Sequence, residues 1–103
     1  MIDFIKNMFS SGPAVDFADL VKAGAVIVDV RTQGEFNGGH IKGSINIPLD
    51  QISQKTAELK KKNKVIITCC RSGNRSGTAA AMLNTAGIQC HNGGPWNVLN
   101  DKL

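Results

Sequence analysis

The sequence of 103 residues lacks tyrosine, has one tryptophan and contains only three cysteines. Two of these, Cys69 and Cys70, are adjacent, and neighbouring residues rarely satisfy the geometry of a disulfide. The odd count and the distant Cys90 exclude a secreted disulfide framework, and the spacing does not fit a zinc site. We therefore expect reactive or buried thiols in a reducing compartment, and no metal ion.

Long hydrophobic runs are also missing. Asp3 and Lys6 interrupt the apolar start of the chain, which fits neither a signal peptide nor a membrane span. We therefore expect no membrane span and a cytoplasmic location. The net charge of +4 is compatible with anionic substrates but too small to indicate nucleic-acid binding. Residues 1–13 are interpreted as an N-terminal extension that can form a short helix and a linker.

In the rest of the chain, apolar runs alternate with segments of helical character. Strands are predicted over residues 25–30, 45–47, 65–69 and 88–91, helices over 17–22, 50–61, 77–86 and 96–103, a loop over 31–39 and a turn over 93–96. Asp16 is expected to cap the first helix, Gly24 to end it, and Asp50 to cap the second. This alternation predicts an α/β domain over residues 14–103. Its sheet is expected to be mainly parallel, with about four to five strands and helices on both faces.

Residues 65–76 carry the strongest functional signal, because a thiol lies where a buried strand gives way to a helix opened by Ser76. The helix N-terminus and nearby cations favour a thiolate, so we interpret Cys70 as a nucleophile. Glycine and asparagine in the following loop permit a tight turn whose backbone N–H groups face inward and bind an anion. The candidate substrate-binding residues are Arg71, Ser72, Gly73, Asn74 and Arg75.

These motifs resemble those of a known family. The stretch over residues 70–76, Cys-Arg-Ser-Gly-Asn-Arg-Ser, is similar to the active-site loop of single-domain rhodaneses, which are sulfurtransferases. Further similarities follow in order along the chain, at residues 29–31, 35–36, 39–41, 43–48 and 92–96. The resemblance implies a rhodanese-like fold of three layers.

The resemblance also implies a mechanism. Cys70 would attack the outer sulfur of a small donor such as thiosulfate, and a persulfide would form on the cysteine. Cyanide, a thiol or a protein would then accept the sulfur. The backbone N–H groups of the loop would stabilise the negative charge. No organic cofactor is implied, and we expect a monomer.

Four other residues are expected to support the site. We expect Asp29 to be a hydrogen-bonded carboxylate and Arg31 to pair with Glu35, so that both hold neighbouring loops. Trp96 is expected to pack beside the site and to line the pocket. Cys90 is expected to be a buried thiol of a core strand.

Two other functions stay open at this point. Five residues separate Cys69 from Arg75, which is the spacing of cysteine-dependent phosphatases, whereas four separate Cys70 from Arg75. A phosphatase or an arsenate-type reductase that uses Cys69 is therefore one alternative. The other is a non-catalytic sulfur-carrier or interaction domain. The two cysteines alternate along the strand and are expected to point to opposite sides of it.

Overall fold

The fold is known from a computed structural model that describes residues 15–103; the predicted extension over residues 1–13 lies outside the described residues. Four parallel strands form a sheet in the order β2-β1-β3-β4. The strands are β1 (Val26–Asp29), β2 (Ile45–Asn46), β3 (Ile66–Cys70) and β4 (Cys90–Pro95). The helices are α1 (Phe17–Lys22), α2 (Gln33–Asn37), α3 (Ile52–Lys61), α4 (Asn74–Thr85) and α5 (Trp96–Asp101).

Helices cover both faces of this sheet. Leu59 of α3 and Leu83 of α4 pack with Val28 on one face, and Leu99 of α5 packs with Ile27 on the other. Apolar residues on both sides of a strand are the reason that its sequence is a continuous apolar run. The predicted three-layer α/β architecture with a parallel sheet is confirmed.

The first helix begins and ends as the sequence predicts. The carboxylate of Asp16 accepts a hydrogen bond of 3.0 Å from the backbone N–H of Asp19. Gly24 adopts a φ of +107°, which glycine reaches more readily than other residues, and the chain turns there into β1. These local signals position the start of the central sheet.

Two predictions between β1 and α3 are wrong. The segment 31–39 contains helix α2, whose start is stabilised by a capping box between Thr32 and Glu35, and this signal lies within a segment that is polar overall. Asp50 does not cap α3; it lies in a short 3₁₀ helix, Leu49–Gln51, that precedes that helix. In both places local hydrogen bonds determine the structure, and the average composition of the segment does not predict them.

The boundaries around the cysteine pair also differ from prediction. Helix α4 begins at Asn74, so Ser76 lies within its first turn and Gly73 is the N-cap. Strand β4 runs to Pro95, over residues predicted to form a turn, because β3 and β4 pair through an irregularity between Thr68 and Cys70. The earlier start of α4 brings its N-terminus directly against the end of β3.

No helix among residues 15–103 is both long enough and apolar enough to cross a membrane.

Candidate active site

The carboxyl edge of the sheet brings together residues from distant parts of the chain. Strand β3 ends at Cys70, β1 ends at Asp29, and Trp96 follows the end of β4. In parallel α/β sheets, sites form at this edge, because the loops that follow the strands meet there. We call residues 70–76, which join β3 to α4, the cysteine loop.

The cysteine loop wraps around the sulfur of Cys70. The backbone N–H of Gly73 donates to Sγ at 3.0 Å, and that of Ser76 donates to it at 3.4 Å. The hydroxyl of Ser76 lies 3.2 Å from the same sulfur. Gly73 adopts a φ of +97°, which turns its N–H inward. The unpaired N–H groups at the start of α4 are thereby directed at the thiol.

These donors change the acidity of the thiol. Burial on its own raises the pKa of Cys70, since the residue is fully buried beneath its loop. Hydrogen bonds from the side chain and backbone of Ser76, and from the backbone of Gly73 and Ser72, outweigh burial, and the pKa lies below its ordinary value of 9.0. The site therefore favours a thiolate.

The neighbouring thiol has the opposite environment. Cys69 is fully buried on the other face of β3, in the cluster that contains Ile27 and Leu99. Burial and the nearby carboxylate of Asp29 raise its pKa to about 12. The expectation that the two cysteines point to opposite sides of the strand is confirmed, and Cys69 is a neutral thiol.

Cys90 is also a buried thiol, as expected. Burial raises its pKa to about 11. Cys90 lies opposite Ile66 in the register of β3 and β4, whereas Cys70 is at the other end of β3. Cys90 is therefore remote from the cysteine loop.

The arginine partners differ from prediction. Arg75 forms a two-pronged ion pair with Glu35, with distances of 2.8 Å and 3.0 Å between the guanidinium and the carboxylate. Arg75 and Thr32 lower the pKa of Glu35 to about 2. The expected pairing of Arg31 with Glu35 is wrong. Among residues 15–103, Arg71 forms no ion pair, and its side chain is exposed.

Arg31 instead pairs with Asp29, two residues before it. The guanidinium donates to both carboxylate oxygens, at 2.9 Å and 2.7 Å, and also to the carbonyl of Gly39 at 2.7 Å. Arg31 lies 4.8 Å from the ring centroid of Trp96, close enough for a cation–π interaction. The pair of Asp29 and Arg31 is buried. Through the contacts of Arg31 it connects the ends of β1, α2 and β4 beside the site.

The structure thus divides the predicted site residues into groups. The backbone N–H of Gly73 donates to the sulfur of Cys70, whereas the side chains of Arg71, Ser72 and Asn74 are exposed. Arg75 faces Glu35. The remaining residues form a separate group, in which Asp29 and Arg31 are buried and Trp96 is partly buried.

The family assignment follows from comparison with known proteins. A model of the rhodanese-like domain matches residues 13–95. The chain belongs to the rhodanese-like domain family. It is 43% identical over 63 residues to the uncharacterized protein YqhL of Bacillus subtilis, covering 61% of this chain and 49% of YqhL. It is 33% identical over 61 residues to the thiosulfate sulfurtransferase PspE of Escherichia coli, covering 58% of this chain and 59% of PspE.

A solved structure has the same fold. The structure described as a rhodanese with anions from E. coli superposes with a TM-score of 0.65 and 28% identity, covering 72% of this chain and 89% of that one. The chain spans about half the length of YqhL. The chain therefore has both the sequence motifs and the fold of the rhodanese-like domain family.

One residue of this rhodanese-like domain was not expected at the site. Asn92 accepts a hydrogen bond of 2.7 Å from the hydroxyl of Ser76 and donates one of 3.2 Å to the carbonyl of Gly73. Sequence reasoning missed it because Asn92 is 16 residues from Ser76 and appears only as the start of a glycine turn. The pairing of β4 with β3 brings the two residues together.

Proposed function

We propose that this rhodanese-like domain is a sulfurtransferase that moves a sulfane sulfur from an anionic donor to a thiophilic acceptor through a persulfide on Cys70. The observation that carries the proposal is the convergence of backbone N–H groups from Gly73 and Ser76 on Sγ of Cys70. These donors stabilise negative charge on sulfur, which both the thiolate and the persulfide carry. The similarity to PspE, described as a thiosulfate sulfurtransferase, supports thiosulfate as a donor.

The proposed reaction has two transfers. The Cys70 thiolate attacks the outer sulfur of thiosulfate, a bond forms between the two sulfurs, and the bond between outer sulfur and sulfite breaks. Sulfite leaves with the electron pair of the broken bond, and the negative charge stays on the terminal sulfur of the persulfide. An acceptor such as cyanide or a thiolate then attacks this terminal sulfur and regenerates the Cys70 thiolate. No net oxidation or reduction of the protein occurs.

Access to the sulfur requires movement of the cysteine loop. Cys70 is fully buried, whereas three residues of the loop that follows it, Arg71, Ser72 and Asn74, are exposed. A donor reaches the sulfur when this exposed part of the loop moves outward. Arg71 has no competing ion pair among residues 15–103 and is the cation available to attract an anionic donor. The charge of Arg75 is balanced by Glu35.

The geometry gives the phosphatase alternative no support. A phosphatase that used Cys69 would need donors around that sulfur and a lowered pKa. Cys69 instead lies in the core on the other face of β3, and its pKa is raised to about 12. The hydrogen-bond donors of the loop converge on Cys70.

The proposal is tested by the intact mass of the protein after exposure to thiosulfate. Persulfide formation adds one sulfur atom, about 32 Da, and we expect this gain in the wild type and in Cys69→Ser but not in Cys70→Ser. The matched control is Cys69→Ser, because it makes the same chemical change one residue away.

Thiocyanate formation from thiosulfate and cyanide is measured on the same three proteins. Turnover in the wild type that Cys70→Ser abolishes supports the sulfurtransferase. A persulfide without turnover identifies a sulfur carrier instead. Absence of the mass gain, or equal loss in both variants, contradicts the proposal.

A further inference from the structure

The amide of Asn92 has a defined orientation in the structure. Its Nδ2 group donates to the carbonyl of Gly73, which can only accept, at 3.2 Å. Its Oδ1 atom accepts from the backbone N–H of Gly94, which can only donate, at 2.9 Å. Exchanging the two amide atoms would put two donors together and two acceptors together. The carbonyl oxygen of Asn92 therefore faces the hydroxyl of Ser76, 2.7 Å away.

This orientation determines where the single hydroxyl hydrogen of Ser76 points. Because Oδ1 of Asn92 is only an acceptor, the hydroxyl must donate to it. The Ser76 oxygen then offers only lone pairs to Sγ of Cys70, 3.2 Å away. That arrangement suits a neutral thiol, whose S–H donates to the Ser76 oxygen.

A thiolate requires the opposite arrangement. Once Cys70 loses its proton, lone pairs of the Ser76 oxygen would face a negative sulfur. Rotation of the hydroxyl moves its hydrogen from Asn92 to the sulfur, where it joins the N–H groups of Gly73 and Ser76. Oδ1 of the exposed Asn92 keeps its hydrogen bond from the backbone N–H of Gly94, so the rotation leaves this acceptor with a partner.

One glycine leaves room for this amide, and a second lets the strand that carries it approach its neighbour. A Cβ at Gly77, within helix α4, would lie 3.1 Å from Nδ2 of Asn92. Glycine within a helix is less favourable than alanine, so the chain carries an unfavourable helix residue where the amide packs. A Cβ at Gly93 would lie 2.8 Å from the carbonyl oxygen of Thr68. Glycine there lets β4 approach β3 and sets the position of Asn92.

We propose that Asn92 is a positioning residue for Cys70, which holds the hydroxyl hydrogen of Ser76 while Cys70 is a thiol and releases it to the sulfur when the thiolate forms. The consequence for sulfur transfer rests on the proposed function, because a thiolate is the attacking group there. The hydrogen-bond exchange itself is a property of the thiol and is measured without a sulfur donor.

The decisive substitution is Asn92→Asp, which keeps the size of the side chain. A carboxylate is a stronger acceptor than an amide and retains the Ser76 hydrogen, and its charge also opposes a thiolate. We expect the pKa of Cys70 to rise by about one unit, so the midpoint of the pH profile of alkylation moves up by about one pH unit. The readout is the pH dependence of iodoacetamide alkylation at Cys70, followed by mass mapping.

The effect of Asn92→Asp on the pKa of Cys70 has two contributions, the retained hydrogen bond and simple charge repulsion. Repeating the substitution in the Ser76→Ala variant separates them. In Ser76→Ala there is no hydroxyl hydrogen to retain, so Asn92→Asp acts there through charge alone. We expect its effect on the pKa of Cys70 to be about half as large, or smaller, in Ser76→Ala as in the protein that keeps Ser76. Equal shifts in the two backgrounds would overturn the inference, because Asn92 would then act independently of Ser76.

Asn84→Asp is the matched control. Asn84 is also exposed and bonds to the backbone of β4 through both amide atoms, each 3.0 Å from Cys90, far from the cysteine loop. The substitution Asn84→Asp should leave the pKa of Cys70 unchanged. A shift equal to that of Asn92→Asp would contradict a specific role of Asn92. Should Asn92→Asp unfold the protein, Asn92→Ala in the same two backgrounds provides the test, since its effect must also depend on Ser76.

The outcome is separable from that of the proposed function. Dependence on Ser76 in a protein that forms no persulfide supports the hydrogen-bond exchange and rejects the sulfurtransferase. Independent shifts in a protein that does form a persulfide reject the role of Asn92 and leave the sulfurtransferase in place.

Discussion

The two faces of strand β3 give adjacent thiols opposite chemical properties. Cys70 is directed at the N-terminus of α4, where N–H groups and a hydroxyl surround its sulfur and lower its pKa. Cys69 is directed into an apolar cluster beside the carboxylate of Asp29, and its pKa rises to about 12. Both residues are fully buried, so burial alone does not decide which thiol ionises. The difference comes from the hydrogen-bond donors that each sulfur meets.

The two ion pairs near the cysteines also differ in their environment. The pair of Asp29 and Arg31 is buried and has fixed partners, whereas the side chains of Arg75 and Glu35 are 35% and 31% exposed. Burial of a charge is costly unless its partner is present, and an exposed pair is screened by water. We therefore expect the first pair to determine stability and the second to adjust the environment of the cysteine loop.

The largest expected effect is on the relative reactivity of the two thiols. A pKa of about 12 for Cys69 against a value below 9.0 for Cys70 corresponds to at least three units. The thiolate fraction of Cys70 at neutral pH should therefore exceed that of Cys69 about a thousandfold or more. Iodoacetamide should label Cys70 with that preference in the folded protein, as measured by peptide mass mapping.

Denatured protein is the control for this measurement, because both thiols should react at similar rates once the fold is lost. Labelling of both cysteines at similar rates in the folded protein would remove the contrast between the two faces.

The next effect concerns the buried ion pair. Asp29→Asn leaves the guanidinium of Arg31 buried without its counter-charge, and we expect the free energy of unfolding to fall by about 3–5 kcal/mol. Urea denaturation at neutral pH measures this loss. As a control, Asp16→Asn changes an exposed carboxylate at a helix N-cap, where asparagine serves equally well, and should have little effect. A loss of less than about 1 kcal/mol for Asp29→Asn would show that the pair does not hold this edge together.

The smallest effect is expected for Arg75→Ala. Solvent screens this pair, so we expect a loss of about 0.5–1 kcal/mol of stability at neutral pH. The folded-state pKa of Glu35, about 2, lies below its ordinary value of 4.5, so the contribution is present above pH 4.5 and is lost as the pH falls towards 2. Urea denaturation at several pH values should show this acid dependence in the wild type and a weaker one in the variant.

The same variant tests the electrostatics of the cysteine loop. Removal of a cation should raise the pKa of Cys70, but only slightly, because Glu35 already balances the charge of Arg75. Glu35→Gln is the matched partner and should lower the pKa of Cys70. A large rise in Arg75→Ala would show that Arg75 acts on the sulfur directly.

Much of the fold was predictable because its signals are local. Continuous apolar runs indicated the buried strands, and the cap at Asp16 and the turn at Gly24 lay next to the helix that they limit. Helix α2 was missed because its capping box, Thr32 and Glu35, lies in a segment that is polar on average. The start of α4 was misplaced because Gly73 serves as its N-cap, and sequence reasoning gave that role to Ser76.

The site was predictable only in part. The position of Cys70 between a strand and a helix is visible in the sequence, and this location by itself favours a thiolate. The partner of each arginine was not visible, since Arg75 reaches Glu35 across 40 residues of chain and Arg31 turns back to Asp29. Such pairings depend on which strand ends are neighbours in the sheet.

The sequence by itself determined the alternation of strands and helices, the family motifs and the place of Cys70 in front of a helix, because apolar periodicity and spacing act over short distances. Tertiary structure alone decided which thiol is surrounded by donors, which arginine has no ion-pair partner within residues 15–103, and that Asn92 contacts Ser76. The physical reason is that hydrogen bonds and burial act over a few ångströms in space. They become specific only after β3 is packed between β1 and β4 and each face of the sheet has received its own helices.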